Sequence, residues 1–181
     1  MRAAACLLLL VLVAAGAGVA RAADEPIVAW ATMEDARAAL LAAGLPEPAD
    51  NTADPRFPGL RSDAGDKAGI QITLMACGSD ERCLGAQLIA TIPATEQRYA
   101  DIIVGSIEHS VAGFDAVAIA FADAQGDMAH AVQIKGYLMF DYGVSPTLLP
   151  DMTAYLRGIV EQTKDFMLQD DPAHADLWRT D

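Results

Sequence analysis

The chain has 181 residues, with 25 acidic against 12 basic side chains and a formal net charge of −13. Charge of that sign repels phosphate backbones and anionic bilayers, which excludes nucleic acid and acidic membrane surfaces as partners. Three cysteines and three histidines are too few for a disulfide-stapled miniprotein or a rich metal centre, and the length suits one domain with its own core.

Arg2 precedes a run without charge from Ala3 to Ala20, and Ala20-Arg21-Ala22 sets small residues two apart. This is the pattern of a secretory signal peptide over residues 1–23. A retained transmembrane helix is the rival, but much of the run is Ala and Gly, whose transfer into lipid gains little. Cleavage after Ala23 removes Cys6, takes the charge to −15 and leaves 158 residues with no stable membrane anchor. The expected location is periplasmic or secreted.

Thr32 followed by Asp35 has the form of a capping box, and Gly44 is a natural helix terminator. Between them Met33, Ala36, Leu40, Leu41 and Ala43 predict a helix with one apolar side. Four prolines and several acids from Pro46 to Pro58 predict an irregular connection into a short strand near Phe57–Arg61. Gly69–Ala76 then alternates, with Ile70, Ile72 and Leu74 opposite Gln71 and Thr73. Leu84–Ile92 repeats the pattern, with Leu84, Leu88 and Ile92 opposite Gln87 and Thr91. Period two in both segments predicts a hairpin with one buried face, joined by the polar loop Gly78–Arg82.

Cys77 and Cys83 close the two ends of that loop. Continuing each strand puts both thiols on the more solvated face, directly across from one another. Facing Cβ atoms in such a ladder lie about 4.5–5.5 Å apart, so modest closure allows a disulfide. In an oxidising compartment the bond is expected to form and to pin the register. C-x5-C is not the two-spaced motif of a redox catalyst.

Pro93 reads as the end of the hairpin, and Thr95 as the cap of a helix to about Ser110, with Tyr99, Ile102, Ile103 and Ile107 inward. Phe114–Ala122 predicts a strand with Val117, Ile119 and Phe121 towards the core. After a turn over Asp123–Asp127, Met128–Met139 returns with Val132, Ile134 and Leu138 inward. Ser145-Pro146 marks the last helix, serine as cap, although Pro150 moves the regular part nearer to itself. Met152, Tyr155, Leu156, Ile159, Val160, Thr163, Phe166 and Met167 keep helical spacing. From Gln169 the periodicity stops and an acidic tail follows to Asp181.

Short connections make neighbouring strands antiparallel, and a sheet with one apolar face needs helices on it. The order α-β-β-β-α-β-β-α therefore predicts an α+β two-layer sandwich with a five-stranded antiparallel sheet, over residues 24–168 between leader and tail.

Taken together, Asp54-Pro55, the strand ending in Ala76-Cys77-Gly78, the second cysteine Cys83 and Gly143-Val144-Ser145 resemble the YbjN-like family. The resemblance spans roughly residues 32–168. It implies a fold similar to type III secretion chaperones and a regulatory role of the sensory-transduction kind, and it carries no catalytic residue.

The remaining features read plainly. His109, His130 and His174 are scattered and lack ligand spacing, so no metal site and no cofactor is expected. Asp123–Asp127 lacks the alternating acids of a calcium loop. Ser145 lacks the flanking glycines of a nucleophile elbow. With no acid–base or nucleophile pair, no catalytic residue is assigned and the chain reads as non-enzymatic. Ala116, Ala118, Ala120 and Ala122 share one side of their strand and, if Val117, Ile119 and Phe121 face the core, form a flat apolar exterior. That exterior is a candidate docking surface for another protein or for a second copy. The leading expectation is thus an exported protein-interaction module. The alternative is a small-ligand-binding envelope protein with its pocket between sheet and helices.

Overall fold

The computed structural model describes residues 26–64, 68–94, 100–105, 113–122 and 128–170. The leader at 1–23, the cap at Thr95, the helix beyond 105, the turn at 123–127, His109, His174 and the tail beyond 170 lie outside them. Among the described residues the chain is α+β, with six antiparallel strands and three helices. In chain order these are α1 (Met33–Ala42), β1 (Ala49–Asp50), β2 (Gly59–Asp63), β3 (Gly69–Cys77) and β4 (Cys83–Ala94). They continue with α2 (residues 100–105), β5 (Phe114–Ala122), β6 (Met128–Met139) and α3 (Leu148–Asp170). The sheet runs β1-β2-β3-β4-β6-β5, so β5 stands at one end. The sixth strand, absent from the expected order, is the two-residue β1, which pairs Ala49 with Arg61 and Asp50 with Leu60.

The capping box forms as its residues require: Thr32 N–H donates to Asp35 Oδ2 at 2.8 Å, and Asp35 N–H to Thr32 Oγ1 at 3.3 Å. Gly44 ends α1 with φ 73°, the left-handed conformation glycine adopts without penalty. Arg157 of α3 donates to the Ala43 carbonyl there, placing a cation at the negative end of the α1 dipole. Ala36, Ala39 and Leu40 are the buried stripe, whereas Leu41, expected inward, is exposed.

On the sheet, Ile70, Ile72, Leu74, Leu88, Ile92, Val132 and Ile134 are fully buried, and α1 and α3 pack on this face to complete the core. In α3 the buried positions Leu149, Thr153, Leu156, Ile159, Val160, Thr163 and Met167 recur three and four residues apart, the spacing of a single helical face. Thr153 is satisfied by donating to the Leu149 carbonyl at 2.7 Å. Tyr155 and Phe166, expected inward, flank that stripe and are half exposed. In α2, Ala100 and Ile103 are buried and Ile102 points outward.

Two prolines sit where a strand or helix tolerates them. Pro93 does not end β4: the strand runs on through Ala94 against β6, past the last β3 pair at Thr91, so among the described residues Pro93 has no second neighbour needing its missing N–H. Pro150 lies in the first turn of α3, where N–H groups have no intrahelical acceptor. Ser145 does not cap that helix. Its Oγ accepts from Thr147 N–H at 3.4 Å in the turn before it. α3 also continues to Asp170, two residues into the segment expected as tail.

Candidate interaction surface

The hairpin of β3 and β4 places Cys77 directly opposite Cys83. Their sulfurs are 2.10 Å apart and the Cα atoms 3.9 Å, so the two cysteines are at bonding distance. The expectation that both face solvent fails at Cys83, which is only 1% exposed. The cover comes from the chain's own segment before α1. Where β6 has ended, Ala31 pairs with Cys83 through two main-chain hydrogen bonds of 2.9 Å, and Val28 pairs with Val144 through two more of 2.9 Å. Trp30 stacks with the Arg82 guanidinium, 4.3 Å from its ring centroid.

Leu84, also expected inward, is exposed. Opposite it Ala76 takes φ 53° and drops out of the ladder, so regular alternation begins only at Ala86. The motif residues Cys77, Cys83 and Val144 thereby meet around segment 28–31. Asp54 sits apart, in a turn where its carboxylate accepts from the Arg56 side chain at 2.6 Å and from the Arg56 N–H at 2.9 Å. These bonds, the side chain's foremost, hold Asp54 below the usual 3.8.

At the far end of the sheet β5 has β6 as its only neighbour among the described residues. Here the expected faces are reversed. Phe114, Ala116 and Ala118 stand opposite Gly136, Ile134 and Val132, and Ala116 and Ala118 pack against the core. Val117 and Phe121 face away from it, 42% and 45% exposed. Phe114 anchors the inward side: its ring occupies the space over Gly136, where a Cβ would come within 2.5 Å of its Cε1, and its centroid is 6.0 Å from that of Tyr155 in α3. Only methyl-sized side chains follow it along that face. Ala120 is exposed opposite His130, and Ala122 closes the strand opposite Met128. Ala116 and Ala118 therefore belong to the core-facing side of β5 and not to an outer face.

The parity was available in the sequence. A five-residue connection from Ala122 to Met128 pairs even-numbered residues with even, so inward Val132 and Ile134 require inward Ala118 and Ala116.

The outward side of the sheet joins Val117, Ile119 and Phe121 of β5 to Gln133, Ala131 and Ala129 of β6. Further along, Gln87 Nε2 donates to the Tyr137 hydroxyl at 2.7 Å. Met75 and Met139 close over Gly85, the residue between them in the register. Asp115, the only charged residue of β5, stands opposite Lys135. Among the described residues no three His, Cys, Asp or Glu side chains converge on a position that would hold a metal ion. No described helix is long and apolar enough to cross a membrane.

This end strand presents nine residues and an apolar outward row. No known family model matches the chain, and no curated protein matches it either.

Proposed function

We propose that the chain is an exported, non-enzymatic protein-interaction module of the YbjN-like, secretion-chaperone-like kind, and that it docks its partner on the β5 edge. One observation carries the reading: a nine-residue strand with a single neighbour among the described residues, whose outward row is Val117, Ile119 and Phe121 and whose only charge is Asp115. A strand at the end of a sheet presents alternate N–H and C=O groups with no ladder partner, and an added strand satisfies them. Soluble proteins commonly blunt such edges with lysine, proline or a bulge, and β5 has none of these. The Cys77–Cys83 pair fits an oxidising compartment, in keeping with export.

Affinity capture from envelope extracts tests the reading. The native chain is expected to retain a protein that a Val117→Lys, Phe121→Lys double variant loses. Capture of the same proteins by both forms removes β5 from the account.

A further inference from the structure

We infer that the occupant of the β5 edge is a second copy of this chain, paired antiparallel strand to strand about Ala118. The inference rests on the reading of β5 as the docking edge and names its partner.

The middle of the strand, Ala116-Val117-Ala118-Ile119-Ala120, reads nearly the same from either end. An isologous two-fold interface requires a surface that complements itself. Set antiparallel about Ala118, Val117 faces Ile119 of the second copy, Ala116 faces Ala120, and Asp115 faces Phe121. Every such pair joins residues of the same parity, so the core-facing side of one sheet continues into that of the other. On the outward side Val117 meets Ile119 twice at the centre, β-branched against β-branched, the pairing that favours strands, and Asp115 meets Phe121 towards either end.

Charge decides for this register and against electrostatic docking. The two copies of Asp115 end up six residues apart along the seam, roughly 20 Å, beyond the ~10 Å screening length at ordinary salt. Lys135 already stands opposite Asp115 within each chain. No ion pair spans the seam, while each copy carries a formal charge of −13, which becomes −15 without Arg2 and Arg21 of the leader. Association therefore tightens as salt rises, the reverse of a partner held by charge.

Area sets the strength. Nine residues give a contact band about 30 Å long and about 10 Å deep, roughly 600 Å² over both copies, against the ~1,200 Å² of a stable complex. Tyr155, half exposed beside Phe114, adds apolar surface on the same edge. The dimer is consequently weak and reversible.

Sedimentation equilibrium on the purified exported chain, from low micromolar to about millimolar, is the test. A monomer–dimer equilibrium is expected that tightens with added salt and weakens at least tenfold in the Val117→Lys, Phe121→Lys variant. Thermal melting of that variant within a few degrees of the native chain assigns the loss to the edge. In a second arm, single Val117→Cys and Ile119→Cys chains are mixed and oxidised. They are expected to cross-link to one another, because these positions face across the seam. A monomer at every concentration overturns the inference, as does Ile119→Cys self-linking in preference to the mixed bond. If the chain is monomeric but envelope capture still depends on Val117 and Phe121, self-pairing falls and the interaction-module reading stands. If it dimerises through β5 while capture ignores those residues, the dimer stands and the wider reading falls.

Discussion

The β3–β4 and β5–β6 hairpins have connections of equal length, five residues each, and both alternate apolar side chains with period two. They use that pattern in opposite ways. In the first, large side chains face inward: Ile70, Ile72, Leu74 and Leu88 are shielded by helices on one side and by strands on both flanks. In β5, large side chains face outward and the inward side is filled by alanine methyls behind Phe114. Residue size thus points to the core where a strand is central. At the end of this sheet the register with β6 decides instead, and the bulkier row becomes surface.

Truncation should separate the two hairpins most sharply. Leu88→Ala is expected to cost about 2–5 kcal/mol, the range for emptying a packed core site. Val117→Ala should cost well under ~1 kcal/mol, because much of that side chain is already in water. Urea denaturation of both variants measures the contrast, and similar losses would erase it.

Cys77→Ser probes what makes the first hairpin rigid. The link spans a sequence separation of six residues. Closing so short a loop restricts the unfolded chain by about 2 kcal/mol on the chain-entropy model. A lowered melting temperature is expected, together with faster amide exchange at Ala31 and Cys83, whose pairing the hairpin holds in place. Unchanged exchange at Ala31 would detach the segment before α1 from the disulfide.

Enlarging an alanine tests the reversed face directly. Ala118→Val is expected to destabilise by about 1 kcal/mol, since an added pair of methyl groups must enter a filled layer. Val117→Ile, on the other side of the same strand, should be close to neutral. A stabilised Ala118→Val chain would put the alanines back outside.

The smallest effect concerns the turn at Asp54–Phe57, outside both hairpins. Asp54 is held below its usual value by Arg56, so its charged form favours the folded turn. That contribution is complete above about pH 4 and fades as the pH falls through the lowered Asp54 value. Acid titration followed by NMR should move the Arg56 and Phe57 amides while core resonances of Ile72 and Leu88 stay in place. Simultaneous movement of both sets would mean that the turn does not open locally.

Periodic pattern and turn chemistry make much of this architecture legible: the capping box at Thr32, the glycine stop at Gly44, the β3–β4 register, the opposed cysteines and the long final helix. Each depends on contacts between residues near in sequence. Other features resisted for a physical reason. The burial of Cys83 depends on a segment more than fifty residues earlier in the chain. Val28 and Ala31 form bridges to positions far along the chain and carry no local mark of them.

By itself, then, the order of residues determined an α+β chain with an antiparallel sheet and a cysteine-closed hairpin, because alternation, caps and turns act over a few residues. Only the tertiary structure decided what covers Cys83 and which strand is left at the end of the sheet. Those outcomes depend on backbone pairing between segments far apart in the sequence, which only the whole folded chain brings together.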